Sequence, residues 1–295
     1  MNLPAHLGPY RIVSRIGCGG MAEVFRARRH GASGFEKVVA LKVLLPEFSN
    51  DADLQRLLIA EAKLGAAMAH RNLVTVFDLG VDAGRYYVAM ELVEGDDLHA
   101  LRGDDPMPLD IALHVAAELG HALTYIHAFS DDNDRPLGLV HRDISPGNVL
   151  LSRSGEVKLA DFGIAKATEL AAQTHARIVR GKFAYLSPEQ LAGKPLTART
   201  DQFALGVTIA EFVTGVRPFD APTAVETMDR IRAGAPDLSP LPEQLRRIVA
   251  RCLAQDPADR FEGVQDVVAK LQVLQREAPA SGPTQLGGWV RAQLA

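Results

Sequence analysis

His141-Arg142-Asp143-Ile144-Ser145-Pro146-Gly147-Asn148 is the stretch on which the reading of this chain turns. Apolar residues flank it, Leu139-Val140 before and Val149-Leu150-Leu151 after, so it reads as a polar loop held by two short strands. Asp143 is placed to accept a hydroxyl proton, and Asn148 further along the same loop to hold a metal. A second stretch, Asp161-Phe162-Gly163, follows the alternating Val157-Lys158-Leu159. A carboxylate at a strand end, followed by glycine, suits Mg²⁺, a hard cation that wants oxygen ligands. Either stretch alone reads better as an ordinary turn.

Upstream lies Gly17-Cys18-Gly19-Gly20-Met21-Ala22-Glu23-Val24. A glycine-rich turn between strands lets backbone N–H groups come close to phosphate oxygens. It reads equally as a tight hairpin that needs positive φ. Ala22 breaks the G-x-G-x-x-G pattern at its last position. Next, Val39-Ala40-Leu41-Lys42-Val43 sets a lysine in an apolar strand. From Asp51 to Ala69 the pattern is helical, with Leu54, Leu58, Glu61, Gly65 and Met68 on one face. An unpaired carboxylate on that stripe is costly. Lys42 is the obvious partner for Glu61, unless both reach solvent at an edge.

Strands are expected at Tyr10–Gly17, Ala22–Arg28, Val38–Val43, Leu73–Leu79 and Tyr86–Met90. After Glu94 the chain turns helical. Ile111 to Phe129 make a long amphipathic helix, and Gln202–Thr214 a buried one capped by Gly215. Further helices are expected at Val225–Ala233, Pro242–Ala254 and Gly263–Glu277, then a loop over Ala278–Gly288 and a short closing segment, Trp289–Leu294. The fold class is therefore α+β: a small sheet-based lobe with one helix (1–90), a hinge (91–97), a larger helical lobe (98–274) and a tail (275–295). The 295 residues are 47% hydrophobic and 23% charged, an ordinary globular composition. A net charge of −4 gives no sign of nucleic-acid binding. No apolar run is long enough to span a bilayer, and the N-terminus lacks the features of a secretory signal. Cys18 and Cys252 read as reduced thiols. Together these set the expectation of a cytoplasmic protein.

In this order, the glycine loop, strand lysine, helix glutamate, H-R-D-x-x-x-x-N, D-F-G and Ser187-Pro188-Glu189 resemble the protein-kinase signature set. The resemblance covers Tyr10 to Leu274. Through G-G-M-A-E-V, V-A-L-K, Y-L-S-P-E-Q and D-P-A-D-R-F it is to bacterial Ser/Thr kinases of the eukaryotic type. It implies a bilobal transferase that uses ATP and Mg²⁺ to phosphorylate Ser/Thr hydroxyls of protein substrates in signalling. It implies that Lys42 holds the α/β-phosphates and pairs with Glu61, that Asp161 and Asn148 bind Mg²⁺, and that Asp143 orients and deprotonates the acceptor. Gly17, Cys18, Gly19, Gly20, Met21 and Ala22 would cover the phosphates. Val24, Ala40 and Leu150 would enclose the adenine, Met90 would be the gatekeeper, the backbone of Glu91 and Val93 would read the adenine edge, and Asp97 would meet the ribose. His141 and Phe162 match an internal hydrophobic spine. Gly65 matches another spine position, where a larger residue is usual, so the helix bearing Glu61 is expected to be looser. Glu189 and Arg260 match a structural ion pair, and Asp201 a carboxylate bracing the catalytic loop. Arg142 before the catalytic Asp implies switching by a phosphate on the activation segment. Thr174 or Thr168 would carry that phosphate, with Arg142 and Lys166 as its partners. Autophosphorylation in trans would bring two copies together as a dimer.

Two positions depart from the family pattern. Ser145 stands where a lysine is usual, and Lys182 where a threonine follows the glycine before S-P-E. Read together they form an exchange: Lys182 supplies the ammonium missing at 145, and Ser145 the missing hydroxyl. The same departures weaken the inference of Ser/Thr over Tyr specificity. They also feed a rival reading, a pseudokinase scaffold that binds nucleotide and regulates a partner. A small-molecule kinase fits less well, because such enzymes typically lack S-P-E and its Glu–Arg pair. His70, His127 and the other histidines show no metal spacing and read as surface or packing residues.

Overall fold

Alternating apolar residues near the N-terminus build a sheet whose two faces are used differently. The computed structural model describes residues 5–103, 105–131, 133–162 and 182–295. The chain divides into two compact units, the first ending at Val93 and the second beginning at Glu94. The first holds strands β1 (His6–Leu7), β2 (Tyr10–Cys18), β3 (Ala22–His30) and β4 (Glu36–Leu44), helix α1 (Ala52–Ala67), and strands β5 (Val76–Asp82) and β6 (Arg85–Met90). The strands pair antiparallel in the order β1-β2-β3-β4-β6-β5.

Lys42 stands opposite Val24 and Val88, and Ala40 opposite Met90. Facing residues share a side of the sheet, and the side alternates with period two. Val24, Ala40, Lys42, Val88 and Met90 therefore lie on one face. The other face buries Leu7, Tyr10, Phe25, Ala27, Val39, Leu41, Val43, Tyr87 and Ala89 as one cluster. Helix α1 supplies Leu58 and Ala62 to a second cluster with Leu44 and Val88. Asp51 starts that helix, its carboxylate accepting from the N–H groups of Asp53 and Leu54. Strand β5 begins later than the sequence suggests. Leu73 is buried, but its N–H donates to the His70 carbonyl in a turn, so pairing with β6 starts only at Val76.

The second unit contains β7 (Gly95–Asp97), α2 (Leu98–Arg102), α3 (Leu109–His127), β8 (Val149–Ser152), β9 (Val157–Leu159), α4 (Pro188–Leu191), α5 (Ala198–Thr214), α6 (Ala224–Ala233), α7 (Glu243–Cys252), α8 (Val264–Glu277) and α9 (Pro283–Gln293). Strands β7, β8 and β9 form a small antiparallel sheet. Helix α5 is buried along most of its length and ends at Gly215, which caps it with φ 81°. Among the described residues no helix is long and apolar enough to cross a membrane.

A buried ion pair ties α4 to the turn before α8. Arg260 Nη1 donates to Glu189 Oε1 at 2.7 Å and Nη2 to Oε2 at 2.9 Å. Arg260 also donates to the carbonyls of Arg199 and Ala254, at 2.7 and 2.9 Å. Thr200 Oγ1 donates to Glu189 Oε1 at 3.0 Å. Burial pushes the Glu189 carboxyl up. The hydrogen bond and charge of Arg260, with help from Thr200, outweigh it and hold the group below the usual carboxylate range.

The end of the chain differs from the sequence reading. Residues 283–288, loop-like in composition, belong to α9. Pro283 opens the helix, and Leu286 and Val290 are fully buried. Of its two glycines, Gly287 is there for proximity. A Cβ on Gly287 would stand 2.7 Å from the Arg153 carbonyl oxygen, and one on Gly155 only 1.7 Å from that of Pro283. Composition alone does not distinguish a glycine of close approach from a glycine of a loop.

Replacing Leu286 by alanine should cost about 2–5 kcal/mol in urea unfolding, the usual cost of emptying a buried leucine site. Arg260→Leu should cost about 3–5 kcal/mol, because Glu189 would stay buried without its cation. The lowered Glu189 pKa means its contribution is complete above the unfolded carboxyl value and is lost as pH falls through the folded one. In Arg260→Leu, burial without the cation would lift the Glu189 pKa above its unfolded value and reverse that sign, so the stability gap between parent and variant should widen as pH rises through the carboxyl range and narrow as it falls.

Candidate active site

The loop 141–148 is anchored by one carboxylate. Asp201, fully buried in the first turn of α5, accepts from the N–H of His141 and of Arg142, each at 2.8 Å. Its Oδ2 also lies 2.8 Å from His127 Nε2 on α3. Sequence reasoning treated His127 as a surface or packing residue. It is instead the third partner of Asp201, and no local motif marks it. Leu139-Val140, expected as a strand, is irregular. On that side the loop is held by Asp201 rather than by pairing.

Inside the loop, Asn148 Nδ2 donates to the Asp143 carbonyl at 2.7 Å, and the Asn148 N–H to the Ser145 carbonyl at 2.9 Å. Asp143, Ser145 and Asn148 are all buried. His141 is buried too, its ring 4.9 Å from that of Phe162. Burial pushes the imidazole pKa down against the upward pull of Asp201, Asp143 and Asp161, so the ring is held toward its neutral form. Arg142 has φ 70° and Asp161 φ 55°, uncommon for residues with side chains. Such backbone collects at functional sites.

Strands β8 and β9 pair Val149 with Leu159, and the Ala160 N–H donates to the Asn148 carbonyl at 2.9 Å. Asn148 and Asp161 thus come to the same end of the hairpin. Among the described residues no cluster of three or more His, Cys, Asp or Glu could hold a metal by itself. One amide oxygen and one carboxylate match the donor set of Mg²⁺, which usually keeps waters and takes its remaining ligands from substrate phosphates.

In the first unit, Lys42 Nζ lies 2.8 Å from Glu61 Oε1, and both side chains are largely buried. The alternative, two groups reaching solvent separately, does not hold. The glycine loop spans the β2–β3 hairpin, where the Gly19 N–H donates to the Ala22 carbonyl at 2.8 Å. None of Gly17, Gly19 and Gly20 has positive φ, so hairpin geometry does not demand them. A Cβ on Gly20 would meet nothing within 4 Å. The open space suits an approaching phosphate. Cys18 is exposed there.

Val24, Ala40 and Met90 share the Lys42 face. The Glu91 N–H donates to the Thr75 carbonyl at 2.8 Å, and Val93 is half-buried at the end of this unit. In the second unit, Leu150 pairs with Asp97 across β7 and β8. Asp97 Oδ1 caps α2 by accepting from the Ala100 N–H at 2.8 Å. Burial raises its pKa, partly offset by that bond. Tyr185 was also missed. Its hydroxyl donates to buried Glu211, which pairs with Arg102 at 3.3 Å, and so fixes the segment before Ser187 to α5.

Ser145 Oγ is buried with no hydrogen-bond partner among the described residues, as is Arg142 Nε. Lys182 opens a short turn, Lys182–Tyr185. The Lys182 side chain, with Lys166, Thr168 and Thr174, lies outside the described residues.

A model of the protein kinase domain matches residues 10–271. The tyrosine-protein kinase MasK of Myxococcus xanthus is 37% identical over 97% of this chain and 46% of its own length. The serine/threonine-protein kinase PrkC of Bacillus subtilis is 33% identical over 90% of the chain and 40% of its own length. The serine/threonine-protein kinase PknA of Mycobacterium tuberculosis is 37% identical over 86% and 58%. The chain therefore spans about half the length of the curated relatives it matches. The crystal structure of the Mycobacterium tuberculosis PknI kinase domain superposes with a TM-score of 0.69 at 30% identity, covering 92% of this chain and 99% of that one. A family match over nearly the whole chain joins here with the bilobal fold, and the chain belongs to the protein kinase domain family.

Proposed function

We propose that this domain transfers the γ-phosphoryl group of ATP to Ser/Thr hydroxyls of protein substrates. The observation that carries this reading is the largely buried Lys42–Glu61 contact of 2.8 Å, which fixes a cation on the sheet face where nucleotide phosphates would be held. Lys42, steadied by Glu61, would hold the α/β-phosphates, and the backbone N–H groups from Gly17 to Ala22 would supply further donors to them. Asn148 and Asp161 hold Mg²⁺, which when bound neutralises charge on the phosphates. Asp143, kept in place through its carbonyl by Asn148, accepts the proton of the attacking hydroxyl. Residues 91–97 are the hinge between 1–90 and 98–274, with 275–295 as tail; the unit boundary at Val93/Glu94 supports this.

The Ser145 hydroxyl, buried and without a hydrogen-bond partner among the described residues, supports the exchange with Lys182, because it leaves capacity for a group outside them. Arg142 Nε, likewise without a partner among the described residues, supports a phosphate on Thr174 or Thr168 as activator, added by a second copy of the chain. Two free cysteines and dependence on ATP suit the cytoplasm. Tyrosine is a second acceptor reading, favoured by the name of the Myxococcus relative and by Lys182 in place of threonine.

Incubated with Mg-ATP, the parent chain should gain phosphate by intact mass, and Asp143→Asn should lose about 10²–10⁴ in rate. Nucleotide binding without transfer to any protein acceptor would turn the reading to a scaffold. Phosphoamino-acid analysis of the product decides between Ser/Thr and Tyr. Lys182→Ala should lower kcat about 100-fold if it supplies the displaced ammonium; a loss of only a few-fold would sink the exchange.

A further inference from the structure

Gly65 is buried on α1, one turn after Glu61. Residues four apart share a helix face, so the two look the same way. A Cβ on Gly65 would stand 2.7 Å from Val76 Cγ2 on β5, closer than carbon atoms pack. Val76 packs against the cluster under α1 that holds Leu58, Ala62 and Val88. The sequence reading took the missing side chain as a loosened helix. The packing is the reverse: the isopropyl group of Val76 occupies the place a side chain at 65 would take, and α1 sits down on the strand. Strand β5 adjoins β6, which adjoins the strand carrying Lys42. The depth at which α1 sits on this sheet therefore decides where the Glu61 carboxylate arrives, and it arrives 2.8 Å from Lys42 Nζ.

We propose that Gly65 and Val76 form a positioning pair, glycine on the helix and valine on the strand, which seats α1 so that Glu61 reaches Lys42. A larger residue at 65 facing valine lifts the helix and parts the ion pair. A larger residue at 65 facing alanine restores the seating, with the bulk moved from strand to helix. The consequence for catalysis rests on the kinase reading above; the consequence for Lys42 does not.

The test is the rate at which a succinimidyl ester acylates Lys42, read by peptide mass, since the contact with Glu61 shields the amine from the reagent and parting the pair exposes it. Gly65→Leu should raise that rate about tenfold, to the level of Glu61→Gln. Adding Val76→Ala should bring it back to within about twofold of the parent. Phosphoryl transfer should fall about 100-fold in the single variant and recover in the double. Gly65→Ala, whose methyl alone meets Val76, should move the same way by less and serves if Gly65→Leu does not fold. Parent-like acylation in the single variants, or a double variant as reactive as Gly65→Leu, overturns the pair. A parent that transfers no phosphate overturns the kinase reading instead, and the acylation rates still decide the pair.

Discussion

Three hydrogen-bonding groups converge on the Asp201 carboxylate: the N–H of His141, the N–H of Arg142 and the imidazole of His127. A carboxylate stripped of water is tolerated only when its lone pairs are filled. Filling them pins the start of the loop 141–148 to the most buried helix of the second unit. Pinned there, the chain takes a left-handed turn at Arg142 and passes buried through Asp143 and Ser145. Asn148 then closes the loop on the Asp143 carbonyl. The hairpin β8–β9 carries on from Asn148 and delivers Asp161 to the same end. Each chemical group of this unit thus inherits its position from one desolvated charge.

The first unit solves a similar problem with an ion pair. Lys42 is confined to one face of the sheet by the period of the strand, and Glu61 to one face of α1 by the period of the helix. Their meeting requires the two elements to be close, and a glycine facing a valine allows it. Charge pairing and apolar packing here are one constraint. The apolar contact sets the spacing, and the spacing makes a partly dry ion pair cheaper than two desolvated charges.

Buried polar groups in this chain divide by how fully they are satisfied. Glu189 and Arg260 have nearly all their hydrogen-bonding capacity used, as befits a brace. Ser145 Oγ and Arg142 Nε have no hydrogen-bond partner among the described residues. A brace so fully bonded is complete without a ligand.

Local pattern was enough to read the strand lysine, the helix glutamate, the loop 141–148 and the buried helix ending at Gly215. Each rests on a periodicity or a short motif, and such signals act over a few residues. Pairing, proximity and close approach were decided by tertiary structure. His127 stands 74 residues from Asp201, and nothing near it in the chain marks it as a partner. Gly65 read as a loss because the valine that fills its place lies on another element. Gly287 read as a loop residue because its reason, the Arg153 carbonyl, lies far away in sequence. The sequence by itself determined which chemistry the chain could hold and on which faces, because backbone periodicity is local. Only the tertiary structure decided which glycines mean contact and which histidine completes a buried carboxylate, because packing joins residues whose separation in the chain carries no signal.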